Sequence, residues 1–213
     1  MQITEFKKIG NTNRYKMFVD GDFFAVILDE DIVLNSLKLN KEYSQESLNS
    51  IVFNAQNKVA LNVGLNLVSK FSKTEKQLKN YLKEKGFAFQ AINYAVQKLK
   101  EYNYINDEAY AHNYYLTKKN IKGKKAIAYE LKNRGVSEET IQNLLNQDLE
   151  SEEEVIEKIA KKFIKNKPND PKLKEKLFRH LAGKGFNFEA INKTTKKILS
   201  EDNNESWNWF SKY

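Results

Sequence analysis

The chain contains no cysteine, which excludes disulfides and thiolate metal sites at once. Only two prolines interrupt its 213 residues, Pro168 and Pro171, and they fall in one short stretch. No segment approaches the roughly 18 to 20 uninterrupted apolar residues that a membrane span requires. The opening residues, MQITEFKKIGNTNRYK, lack an apolar core followed by small residues, so they do not read as a signal peptide. Histidine occurs twice, at His112 and His180, in separate parts of the chain. No Gly-x-x-x-x-Gly-Lys-Ser/Thr loop is present, and Lys122-Gly123-Lys124 is a basic turn with no strand before it. The carboxylates Glu150, Glu152, Glu153 and Glu154 read as a charged helix start favoured by the helix dipole, rather than as a metal site. Catalysis needs convergent reactive groups, and none assemble here. A soluble cytosolic protein without enzymatic activity, cofactor or metal is expected.

What the chain does have is a repeat. Leu78–Leu99 (LKNYLKEKGFAFQAINYAVQKL) sets a pattern that returns over Ile127–Leu145 and again over Leu177–Leu199. Superposing Gly86, Gly135 and Gly185 brings the copies into register, with intervals of 49 and 50 residues. Leu82, Leu131 and Leu181 then stand four residues before each glycine, and Leu78, Ile127 and Leu177 eight before. Phe87, Val136 and Phe186 follow directly, and Ile92, Ile141 and Ile191 come six after. Apolar residues at those spacings share one helix face. Glycine ends that helix because a residue without Cβ enters the left-handed region cheaply. Ser137 and Asn187 suit the N-cap of the following helix, whereas Ala88 does not. Each copy therefore reads as helix, tight turn, helix, with a lead helix before the pair. Units this small bury their apolar stripes by stacking.

The first 56 residues differ in character. Ile3–Ile9, Arg14–Val19 and Phe23–Ile27 are rich in β-branched and aromatic residues, and Asp20-Gly21 suits a hairpin turn. A three-stranded antiparallel sheet is expected, then a short helix over Asp29–Leu37 and a segment opened by Ser44 that packs on the sheet. Three units follow, at 57–105, 106–150 and 151–200, and a tail at 201–213. The first lead helix carries Val59, Ala60, Leu61, Val63, Leu65, Leu67, Val68 and Phe71, and Thr74 with Gln77 forms a capping box after it. The second begins at Asn106-Asp107 and carries Ala109, Tyr110, Tyr114, Leu116 and Ile121. The third begins at Ser151, with Glu154 as its capping partner, and carries Val155, Ile156, Ile159, Ala160 and Phe163. Asp170-Pro171 reads as an N-cap and first helical residue. The tail either frays or folds Trp207, Trp209, Phe210 and Tyr213 back onto the last repeat. The fold class is mainly α: three tandem three-helix repeats behind a small β-rich region.

Charge supplies the functional signal. The formal net charge is +8, from 36 basic and 28 acidic side chains, which suits an anionic partner. Lys118, Lys119, Lys122, Lys124, Lys125, Lys132 and Arg134 crowd one stretch against Glu130 alone. Lys158, Lys161, Lys162, Lys165 and Lys167 form a second concentration. Tyr110, Tyr114, Tyr115 and Tyr129 lie beside the first; they either stack on bases or serve as half-buried packing. His180 occupies the repeat position of Tyr81 and Glu130, which is expected to face solvent or a partner.

Together these features resemble the RecX family of bacterial recombinase regulators, in its longer form with an N-terminal extension. The resemblance rests on Tyr104-Ile105-Asn106-Asp107-Glu108-Ala109-Tyr110-Ala111, on Thr74-Glu75-Lys76-Gln77-Leu78 with Lys85-Gly86, and on Lys122-Gly123 with Arg134-Gly135-Val136. Phe178-Arg179 with Gly185-Phe186, and Ile3-Thr4, Arg14-Tyr15 and Asp20-Gly21 at the other end, extend it over nearly the whole chain. Phe71-Ser72-Lys73 stands where the family usually has arginine-proline-arginine, which removes a proline and a cation. The resemblance implies an elongated, non-enzymatic monomer that binds the RecA filament on single-stranded DNA and lowers its ATPase and strand exchange. Lys118, Lys119, Lys122, Lys124, Lys125 and Arg134 are the expected contact residues, with Lys161, Lys162 and Lys165 as a second set. Two other readings of the same residues are a non-specific nucleic-acid-binding repeat protein and a helical protein–protein scaffold.

Overall fold

The computed structural model describes residues 1–148, 151–165 and 172–210, with 200–210 described as backbone only. Glu150, Lys167, Pro168, the Asp170-Pro171 cap and the side chains of Trp207, Trp209, Phe210 and Tyr213 lie outside the described residues. The chain divides into two compact units, Met1–Asn106 and Asp107–Tyr213.

The first unit opens with the expected sheet, β1 (Ile3–Lys8), β2 (Arg14–Val19) and β3 (Asp22–Leu28), antiparallel in the order β1-β2-β3. Asp20 and Gly21 both take positive φ, 51° and 92°, as a two-residue hairpin turn demands. One face of the sheet buries Ile3, Met17, Val19 and Ile27 with Leu37, Leu48 and Ala55. Helix α1 covers only Asp29–Leu34, shorter than expected. The chain leaves the helix at Ser36, whose φ is +47°, and turns Leu37 inward to the core. Asp31 of α1 is almost fully buried; it accepts from the Leu28 amide (3.2 Å) and pairs with Lys58 (2.8 Å).

Helix α2 (Gln45–Val68) is one 24-residue rod, begun by Ser44, whose Oγ accepts from the Ser47 amide at 3.1 Å. It passes without a break through residues 56 and 57, so the sheet's partner segment and the first lead helix are the same helix. Its first half gives Leu48 and Ala55 to the sheet core, and its second half gives Ala60, Leu61, Val63, Leu65, Leu67 and Val68 to the core of the first repeat. Phe71 lies past its end and is exposed. Helices α3 (Glu75–Glu84) and α4 (Phe89–Glu101) complete that core with Leu78, Leu82, Ile92, Val96 and Leu99. Each such side chain removed from water contributes about 1.5–3 kcal/mol. The Thr74–Gln77 capping box forms in both directions, each bond 3.2 Å long. Gly86 ends α3 at φ +83°.

The second unit repeats the arrangement twice: α5 (Asp107–Lys118), α6 (Lys124–Asn133) and α7 (Glu138–Gln147), then α8 (Glu153–Ile164), α9 (Leu173–Gly183) and α10 (Phe188–Phe210). Gly135 and Gly185 take φ of +93° and +79° at the expected turns. Ser137 caps α7 through the Thr140 amide (3.1 Å), and Asn187 Oδ1 accepts from the Glu189 amide (2.8 Å) at the start of α10. Two expectations need correcting. On α5 the buried residues are Ala111 and Tyr115, while Ala109 and Leu116 are exposed, because the face turned to Ile127 and Leu131 runs along the helix at a four-residue step; Ile121 lies past the helix end and is exposed. Helix α8 begins at Glu153 rather than at Ser151; the Ser151 hydroxyl accepts from the Glu153 amide (3.2 Å). Helix α10 continues past residue 200 to Phe210.

Candidate interaction surface of the helical repeats

The basic stretch 118–134 spans the end of α5, a turn, and the whole of α6. The structure divides its cations into two groups. Lys122, Lys124 and Arg134 are held by the protein itself. Lys122 pairs with Glu130, whose carboxylate also accepts from Tyr114 Oη at 2.5 Å. Lys124 Nζ meets the Asp148 carbonyl (2.6 Å) and its carboxylate (3.0 Å), which Tyr115 Oη also approaches. The Arg134 guanidinium lies 4.6 Å from the centre of the Tyr114 ring and donates to Tyr110 Oη at 2.8 Å. Tyr110 and Tyr114 lie parallel, 6.2 Å apart. The hydrogen bond from Lys122, with that from Tyr114, holds the Glu130 carboxyl below the usual glutamate range. The same bond to Glu130 raises Lys122, and burial, with Glu130, raises the Tyr114 phenol.

Lys118 and Lys125 are placed differently. Lys118 Nζ rests 5.9 Å from the Tyr114 ring centre, and Lys125 Nζ 5.2 Å from that of Phe188. A cation over an aromatic face keeps its full charge; Lys118 is half-buried and Lys125 is exposed. Lys119 is half-buried and lines a small cleft with Lys122, Lys124, Asp148 and Glu152. In the second set, Lys161 is bound by Glu157 at 2.6 Å, whereas Lys162 on the last turn of α8 and Lys165 just past its end are exposed.

Of the four tyrosines, Tyr115 is core, Tyr110 and Tyr114 are half-buried in the Arg134 network, and Tyr129 is 68% exposed. The expectation that the position of Tyr81, Glu130 and His180 faces solvent or a partner does not hold. His180 is half-buried and stacks on Phe163 of α8 at 4.6 Å, and Glu130 bonds Tyr114 of α5. In the second and third repeats the position lies on the flank that the second helix turns toward its lead helix. In the first repeat, Lys73 Nζ sits 5.8 Å from the exposed Phe71 ring, within the Phe71-Ser72-Lys73 departure.

Sequence reasoning missed Glu152. Its carboxylate accepts from the Lys124 amide at the start of α6 (2.6 Å) and from the Asn187 amide at the start of α10 (3.0 Å). Beside it, the Gly123 amide donates to the Lys184 carbonyl (3.0 Å). A Cβ on Gly123 would collide with the Gly185 carbonyl and the Phe186 Cα. The turn read as merely basic is thus a backbone-to-backbone contact between the second and third repeats. A glycine at an N-cap with no capping side chain was the available signal. Next to this contact, Lys125 on α6 lies over the Phe188 ring at the start of α10.

Comparison with known proteins follows this geometry. Residues 60–99, 106–145 and 150–194 match, respectively, the models described as the first, second and third three-helix domains of RecX. The chain is 34% identical over 197 residues to a regulatory protein RecX of Clostridium beijerinckii, covering 90% of this chain and 92% of that one. Over 195 residues it is 34% identical to the protein of that name from Caldanaerobacter subterraneus, covering 91% and 98%. Among solved structures, one titled as a crystal structure of regulatory protein RecX superposes with a TM-score of 0.67 at 24% identity, over 92% of this chain and 98% of that one. The RecX structure from Lactobacillus salivarius gives 0.61 at 24% identity, over 67% and 96%. Both share the fold. No helix among the described residues is long and apolar enough to cross a membrane.

Proposed function

Because the chain belongs to the RecX family, we propose that it regulates a RecA-type recombinase, as a monomer in the cytosol and without catalysis of its own. It binds the recombinase filament on single-stranded DNA and lowers its ATP hydrolysis and strand exchange. The observation that carries this reading is the near end-to-end match to relatives named regulatory protein RecX, over the N-terminal region as well as the three repeats. The surface of the repeats supports it. Lys118, Lys125, Lys162 and Lys165 make the contacts, as cations set on repeated helices and turned to solvent or laid on rings. Lys119 and Lys161 flank them. Lys122, Lys124 and Arg134 hold the repeats in the geometry that presents the others. Several weak contacts along a filament combine by avidity.

The test is ATP hydrolysis by the same organism's recombinase on single-stranded DNA, titrated with this protein. Inhibition well below one protein per recombinase monomer is expected. Changing Lys118, Lys125, Lys162 and Lys165 to glutamine should raise the half-inhibiting concentration about tenfold or more while the melting temperature stays within a few degrees. No effect of the wild-type chain at stoichiometric amounts sinks the reading.

A further inference from the structure

The N-terminal sheet has a second face, which plays no part in packing on α2. Its residues alternate with the buried ones: Lys16 and Phe18 flank Met17, and Lys7 follows Phe6, which packs into the core. Lys7 and Lys16 are register partners on neighbouring strands, and Val26 is the partner of Lys16 on β3. One row away Phe18 pairs with Phe23, their rings 6.0 Å apart in an edge-to-face contact, and Glu5 is opposite Phe18 on the other side. Phe23 is 57% exposed. Arg14 lies two residues before Lys16 on the same strand and is half-buried.

Two features of this face are costly for a sheet that only folds. Like charges directly opposite one another on neighbouring strands destabilise the pair, and among the described residues no carboxylate forms an ion pair with Lys7, Lys16 or Arg14. A lysine on an edge strand protects against edge-to-edge pairing. That accounts for Lys7 on β1, but Lys16 is on the central strand, where no edge needs protecting. A large exposed aromatic, Phe23, one row along the face from the lysine pair adds the second feature. Both features are relieved by a ligand that carries spaced negative charge and flat apolar rings.

We propose that this face of the β1-β2-β3 sheet binds single-stranded nucleic acid, with Phe23, braced edge-on by Phe18, stacking on a base and Lys7, Lys16 and Arg14 meeting the flanking phosphates. Cationic tracks with interleaved aromatic platforms bind single strands without reading their sequence. The site is separate from the cations of the second and third repeats and does not rest on the proposed function. An assay free of recombinase therefore tests it alone.

The experiment uses the full-length chain and a fluorescent 20-nucleotide oligothymidine, followed by anisotropy over a salt series. Lys7→Gln with Lys16→Gln should lower the slope of log affinity against log salt by about 1.4, since each phosphate contact on a single strand contributes about 0.7. Phe23→Ala should weaken binding about fivefold or more at fixed salt. A 4-thiothymidine oligomer should cross-link to the peptide holding Phe18 and Phe23. Unchanged affinity and slope, cross-links confined to other peptides, or no binding by the wild-type chain would overturn the proposal. Polyglutamate competing as well as the oligomer, with Phe23→Ala silent, would overturn it in favour of an acidic protein partner.

Discussion

The first repeat and the junction of the second with the third solve one problem in two ways. Every helix start leaves backbone amides without partners inside the helix. In the first repeat, α3 satisfies them locally: Thr74 and Gln77 bond each other's amides within one turn. The corresponding place in the second repeat is Gly123, which has no side chain to offer. The start of α6 is satisfied instead by Glu152, 28 residues further on, and by the approach of Gly123 to the Gly185 turn. A local cap leaves a helix self-sufficient, whereas a remote one makes it depend on its neighbour. One sequence pattern thus gives a repeat capped by its own residues and a pair of repeats capped by each other.

The largest difference between the two solutions is expected at the glycines. Gly123→Ala drives a Cβ into the Gly185 backbone and should cost about 3 kcal/mol or more. Gly86→Ala meets nothing within 4 Å and suffers only its positive φ, so about 1–2 kcal/mol is expected. Chemical denaturation of the two variants measures the gap, and equal losses would end the distinction. At the caps the effects are smaller. Glu152→Ala should cost about 2 kcal/mol by releasing two amides from a carboxylate, and should abolish hydrogen-exchange protection at both Lys124 and Asn187. Thr74→Ala should cost about 1 kcal/mol, with lost protection confined to the first turn of α3.

The smallest effect is acid sensitivity at Glu130. Its folded pKa is lowered, chiefly by the Lys122 hydrogen bond and next by that of Tyr114, from the ordinary value of 4.5. The resulting stabilisation is fully present above pH 4.5 and is lost as pH falls through the lower folded value. Glu130→Gln should flatten the pH dependence of stability in that window. A variant as acid-sensitive as the wild type would assign the effect elsewhere.

Much of this was legible from residue types alone. Glycine at a fixed interval, leucine four before it and isoleucine six after specify helix, turn, helix by local rules, and the Thr74 box and the Asp20-Gly21 hairpin are equally local. The family resemblance read from the sequence is the one the relatives show. What stayed hidden depends on distance along the chain. Nothing within one turn of Glu152 indicates that it serves amides 28 and 35 residues away. Nor does a run of lysines reveal which are neutralised: Lys122 and Lys124 pair with carboxylates, whereas Lys125 lies over the Phe188 ring, although they are neighbours in sequence. The continuity of α2 was missed because the change in composition near residue 57 reflects a change of packing partner, not a break in the helix.

That helix carries a mechanical consequence. At 1.5 Å per residue, α2 is a beam about 36 Å long, bolted at one end into the sheet and at the other into the first repeat, with the Asp31–Lys58 pair near its middle. A beam without a hinge transmits tilt undiminished, so a load on the sheet face is felt as a rotation of α3 and α4. Cutting the chain ahead of Ser44 would free the beam and leave Leu48, Ile51, Val52 and Ala55 as a bare adhesive strip.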